Sequence, residues 1–163
     1  MAALRNVLIV ISTIAVIAGT VEMLLVYRAA QMRALAKQLG WSYVACNNHV
    51  WKLIFKHKTY PSDFWLRNSP MTAMWGTMNV IEGTRGGIRI IVLDSLLHFG
   101  ARSDRYVTFI GAKTETDPFL FRSGKEKVAH SDGWFALYRI RLSVLTWSLS
   151  VKRIEEHLRA ISG

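Results

Sequence analysis

The chain has 163 residues, with 21 Lys and Arg against 11 Asp and Glu, and a net charge of +10. Its 51% hydrophobic content excludes a disordered polycation, and its single cysteine excludes a disulfide framework or a multi-cysteine zinc site. A mean hydropathy of +0.20 beside a pI of about 10.2 points to apolar residues concentrated in one stretch.

That stretch is Val7 to Val26, VLIVISTIAVIAGTVEMLLV, in which Glu22 carries the sole charge. A helix of about 20 residues rises about 30 Å, the hydrocarbon thickness of a bilayer. Residues 1–27 therefore read as a transmembrane anchor. Glu22 has two readings. Close to Arg28, its carboxylate reaches the headgroups or takes up a proton; alternatively it makes an intramembrane polar contact that holds two anchors together. A secretory signal cleaved after Val16-Ile17-Ala18 competes with the anchor. The apolar run resuming at Met23-Leu24-Leu25-Val26-Tyr27 and the basic residues after it oppose cleavage. Arg5 alone precedes the span, whereas Arg28, Arg33, Lys37, Lys52, Lys56 and Lys58 follow it. The positive-inside rule then predicts the N-terminus outside and the remainder in the cytoplasm, where a lone cysteine stays reduced. Arg5 and Glu22 are the only charges through Tyr27, so the positive excess belongs to that remainder.

Arg28 to Leu39 is rich in helix formers and free of Pro, Gly and β-branched residues, which predicts a juxtamembrane helix over 28–40. Met32, Leu35, Ala36 and Leu39 form its apolar stripe, and Gly40 suits the position just past a helix end. The rest, 41–163, reads as one α+β domain. Trp41 to Val44 is a short strand, and a segment from Asn48 to His57 fits helix or strand equally. Tyr60 to Trp75, with Pro61 and Pro70, is expected to be irregular. Met78 to Glu82 and Ile88 to Asp94 are strands joined by a Gly-rich hairpin connection, Gly83 to Gly87. Ile90-Ile91-Val92-Leu93 is apolar on both sides, which marks a central strand covered on both faces. Arg105 to Ala112, Phe119 to Phe121, Trp134 to Ile140 and Leu142 to Trp147 are further strands, with a turn at Ser131-Asp132-Gly133. Ser150 caps a closing helix whose stripe is Val151, Ile154, Leu158 and Ile161, with Lys152, Arg153, Glu155, Glu156 and Arg159 turned to solvent. The expected architecture is α+β: the anchor and basic helix, an antiparallel sheet of five or six strands, and a C-terminal helix on one face. A small pleckstrin-homology-like barrel is a variant by analogy.

This order of parts resembles a family of bacterial single-pass, membrane-anchored proteins of uncharacterised activity. The residues that carry the resemblance are Leu39-Gly40-Trp41, Asn79-Val80-Ile81-Glu82-Gly83, Ile88 to Asp94, Gly133-Trp134 to Tyr138-Arg139, Trp147 and Arg153 to Leu158. It implies the topology and no catalytic or binding residue.

No motif for chemistry stands out. Gly83-Thr84-Arg85-Gly86-Gly87 lacks the Gly-Lys-Ser/Thr ending of a phosphate loop, and GxGxxG and GxSxG are absent. Cys46, His49 and His57 lack the further ligands zinc needs. Asp94 with His98, or Cys46 with His49, are the nominal acid–base pairs, and Asp94 reads better as a strand end. No catalytic, cofactor-binding or metal residue is assigned.

The basic surface is the feature with functional content. Arg28, Arg33 and Lys37 are placed to meet anionic lipid headgroups, each contributing about 1 kcal/mol near such a surface. The expectation is a non-catalytic interaction or scaffold domain at the cytoplasmic face of a bacterial inner membrane. Its partners are membrane lipids and a protein or second copy. A membrane-tethered nucleic-acid binder, with aromatic residues for stacking, is the alternative; a small anchored enzyme near Asp94, His98 or His130 is the third.

Overall fold

A computed structural model describes residues 2–45, 74–98, 104–131, 133–139 and 148–161. The elements in chain order are α1 (Ala2–Leu39), β1 (Ser42–Val44), β2 (Met74–Arg85), β3 (Ile88–His98), β4 (Asp104–Lys113), β5 (Lys127–Ser131), β6 (Trp134–Tyr138) and α2 (Val151–Ala160). The α+β architecture is as the periodicity predicts. The segments Asn48 to His57 and Leu142 to Trp147 lie outside the described residues.

Helix α1 runs unbroken from the apolar segment into the basic one, since nothing between Val26 and Leu39 breaks a helix. It stops at Gly40, whose φ of +68° favours glycine. There Gly40 N–H donates to the Lys37 carbonyl at 3.2 Å and Trp41 N–H to the Ala36 carbonyl at 2.9 Å. This pair of bonds is the Schellman motif, which satisfies carbonyls left open at a helix end.

The six strands form one sheet in the order β1-β2-β3-β4-β6-β5, each neighbouring pair antiparallel. Central strand β3 is buried on both faces. Ile90 and Val92 join one apolar cluster with Met32, Leu35 and Ala36 of α1 and Ile154 and Leu158 of α2. Ile91 and Leu93 join the other, with Val107, Phe109 and Trp134. The two helices thus pack on the same face of the sheet.

Several boundaries differ from expectation. Strand β2 continues through Gly83, Thr84 and Arg85, so the hairpin connection is only Gly86-Gly87, at φ of +57° and +79°. Two consecutive positive φ values are the signature of the type I′ turn that suits the strand twist. Gly83 serves a different need: a Cβ there would lie 2.3 Å from the Trp41 indole, which rests against its backbone. Phe119 to Phe121 is no strand but part of the connection between β4 and β5. Strand β5 was not expected, because Lys127 and His130 interrupt any apolar run; short, charged strands are usual at sheet edges.

Helix α2 begins as predicted. Ser150 has extended geometry, and its hydroxyl accepts from Arg153 N–H at 3.3 Å. Ile154, Leu158 and Ile161 are buried. His157 is buried too, and Arg153 turns partly inward, a departure explained by Glu126 below.

Candidate functional site

Among the described residues, a group of buried polar side chains lies where α1 meets the sheet. Inward positions of β3 read Ile90, Val92, Asp94, so alternation carries a carboxylate into the face covered by α1. The α1 stripe through Leu39, Leu35 and Met32 continues one turn back to Arg28. The two charges therefore meet. Arg28 is 1% exposed and Asp94 is fully buried.

The Arg28 guanidinium donates from Nε to Asp94 Oδ2 and from Nη2 to Asp94 Oδ1, both at 3.0 Å. Its Nη2 also donates to Thr108 Oγ1 at 3.0 Å. Thr108, opposite Asp94 in the β3–β4 register, donates its own hydroxyl to Asp94 Oδ1 at 2.6 Å. Asn79 donates from Nδ2 to Asp94 Oδ2 at 3.1 Å. Each carboxylate oxygen thus accepts two hydrogen bonds, which uses its lone pairs fully.

Backbone irregularity aims Asn79. The β2–β3 register shifts between Met78 and Ile81, a bulge in which Asn79 has φ of +52°. Asparagine tolerates this left-handed region better than most residues. The Tyr43 hydroxyl lies 3.0 Å from Asn79 Oδ1 and 3.4 Å from the Ala29 carbonyl of α1, donating to one of them at a time. Thr108 N–H donates to Ser148 Oγ at 2.7 Å, which ties the approach to α2 to the same cluster. Strands β1 to β4 and both helix approaches converge on one ion pair.

Such an arrangement holds a position rather than performing chemistry. A bidentate Arg–carboxylate pair fixes both orientation and depth. Removing one partner leaves a buried uncompensated charge, which costs about 3–5 kcal/mol. The rotation of α1 and its height above the sheet are accordingly set here.

The residues nominated from the sequence fall into different surroundings. Arg28 is a correction: its guanidinium is spent in the interior and is not offered to lipid headgroups. Arg33 is exposed on α1 with its guanidinium 5.4 Å from the Tyr43 ring centroid. Lys37 is exposed about 16 Å along the helix axis beyond Val26, at about 1.5 Å per residue. Glu22 is exposed on the apolar part of α1. Asp94 is no strand end, since β3 continues to His98, and its oxygens are occupied. Cys46, His49 and His57 lie outside the described residues. His130 is exposed on β5 and stacks on Phe135 at 4.3 Å between centroids. Among the described residues no three His, Cys, Asp or Glu side chains are grouped to hold a metal ion.

Glu126, Arg153 and His157 form a second buried ionic cluster, for which no single stretch of sequence gives a signal. Glu126 accepts from Arg153 Nε at 2.9 Å and Nη2 at 3.0 Å, and from Ser123 N–H at 2.6 Å. His157 Nε2 stands 3.2 Å from the same carboxylate. Burial pushes the Glu126 pKa up, but the hydrogen bonds from Arg153 and Ser123, with His157 close by, outweigh it and bring the pKa down to about 2. This cluster clamps the 114–126 connection onto α2.

The first segment of α1 is exposed on every side. Val7, Leu8, Ile9, Val10 and Ile11 are successive residues, pointing all round the helix, and each is more than half exposed. Thr13 and Thr20 donate their hydroxyls to the carbonyls of Ile9 and Val16, both at 2.8 Å, so neither side chain asks for water. Among the described residues α1 is the one helix long and apolar enough to cross a membrane. No protein-family model, curated protein or solved structure matches the chain.

Proposed function

We propose that the protein is a single-pass, membrane-anchored interaction or scaffold domain at the cytoplasmic face of a bacterial inner membrane. Residues 1–27 cross the bilayer, and the ion pair between Arg28 and Asp94 joins the anchor rigidly to the sheet. One observation carries the reading: an apolar helix, uncovered by protein on all sides, continues without a break into a helix docked on a folded domain. Apolar surface of that extent is stable in lipid and costly in water.

The lipid contact expected of Arg33 and Lys37 belongs to this proposal, with Arg28 removed from it. The charge after the span favours the cytoplasmic side. Protease treatment of sealed vesicles tests the orientation. Digestion of the domain in inside-out vesicles and protection in right-side-out ones supports the reading. The reverse pattern places the domain outside and overturns it.

A further inference from the structure

We infer that the connection between β4 and β5 is a second membrane contact, inserting Leu120 and Phe121 among the headgroups of the bilayer that α1 crosses. The inference rests on the reading of α1 as a span and adds to it a site, an occupant and an orientation of the domain.

Leu120 and Phe121 are adjacent and 80% and 74% exposed, far more than any apolar residue described in the sheet. They are not loose ends. Asp117 accepts from Phe119 N–H at 2.9 Å, and Phe119 itself is buried edge-on against His157. Arg153 donates to the Phe121 carbonyl at 3.4 Å while its guanidinium is clamped on Glu126. The turn is therefore built to hold two large apolar side chains outward, and doing so costs solvation free energy unless something apolar covers them.

Position and charge select the bilayer as that cover. Arg28 follows the last apolar residues of the anchor almost immediately, and it bonds Thr108. Thr108 bonds Ser148, two residues before the Ser150 cap of α2, and Arg153 in the first turn of α2 bonds Phe121. A short chain of contacts thus links the foot of the anchor to the exposed pair. The path of α1 agrees: Arg28 lies over β3 and β4, whereas Trp41, just past its end, rests on Gly83 of β2. Followed backwards, the helix moves from the level of Ile90, opposite Gly83, to that of Asp94, opposite Thr108, where Ser148 brings in the start of α2 that bonds Phe121. Arg122 is paired with Asp117 and Arg153 with Glu126 and Glu156, while exposed Lys125, four residues after Phe121, and exposed Lys152, next to Arg153, carry further positive charge in the same two segments. An apolar tip in a segment that also carries exposed lysines suits an anionic lipid surface.

The test uses the full chain in vesicles of phosphatidylcholine and phosphatidylglycerol, with Cys46→Ser to remove the native thiol. An environment-sensitive fluorophore is attached in turn to Ile14→Cys in the span, Phe121→Cys in the turn and Gly86→Cys in the β2–β3 turn. Lipids spin-labelled near the headgroup and deep in the acyl chain act as quenchers. The proposal expects a blue shift and strong quenching by the shallow label at position 121, deep quenching at 14 and none at 86. Quenching at 14 with none at 121 overturns the second contact while leaving the span intact. A blue shift at 121 without lipid quenching means that protein covers the pair, which also overturns it. An unquenched probe at 14 removes the span and the contact together.

Discussion

Arg28 and Asp94 are 66 residues apart in sequence and share two hydrogen bonds of 3.0 Å in the interior of the protein. One belongs to the helix that enters the domain and the other to its central strand. The orientation of the anchor on the sheet depends chiefly on this pair, because Met32, Leu35 and Ala36 make an apolar, non-directional contact and the hydroxyl of Tyr43 reaches α1 only at 3.4 Å.

Asp94→Leu leaves the guanidinium buried without its counter-charge. The expected loss is about 3–5 kcal/mol of unfolding free energy in denaturant titration of the detergent-solubilised chain. The double variant Arg28→Met/Asp94→Leu removes both charges and is expected to recover most of that loss. A double variant as unstable as the two single changes summed contradicts the pairing.

Gly83→Ala brings a methyl group against the Trp41 indole, since the added carbon would lie 2.3 Å from the ring. Overpacking of this kind costs about 1–3 kcal/mol, read as a lower denaturation midpoint. Combining it with Trp41→Ala makes room for the methyl group. The double variant should then lose no more than Trp41→Ala alone, and an additive loss would count against the contact.

Glu126 makes stability fall in acid. Its folded pKa of about 2 lies below the ordinary 4.5, so its contribution is complete above pH 4.5 and is lost as pH falls towards 2. The amount is at most about 3 kcal/mol from the shift itself. Glu126→Gln should lower stability at pH 7 and flatten its decline between pH 4.5 and 2 in denaturant titrations at fixed pH. An unchanged acid slope contradicts the role given to Glu126.

Local signals in the sequence were informative wherever one residue decides an event. Gly40 ends α1 through its positive φ, Ser150 caps α2, and the apolar run from Ile90 to Leu93 is the doubly covered strand. What escaped was pairing across distance. Arg28 by itself reads as a surface cation, although it stands one turn before Met32 on the same stripe. Asp94 likewise extends the alternation of Ile90 and Val92. A charge on an apolar stripe and an opposite charge on an inward strand position are together a readable sign of a buried pair. The Asn79 bulge and the Trp41–Gly83 contact had no comparable signal, because both depend on where β1 and β2 lie after folding. Edge strand β5 was hidden by its own polarity.

Extraction of membranes from cells expressing the full chain, using alkaline carbonate, tests the central claim most directly. The anchor predicts that the protein stays in the membrane pellet, with its N-terminal sequence still including Val7 to Val26. Release into the supernatant, or a mature chain beginning after Ala18, contradicts it.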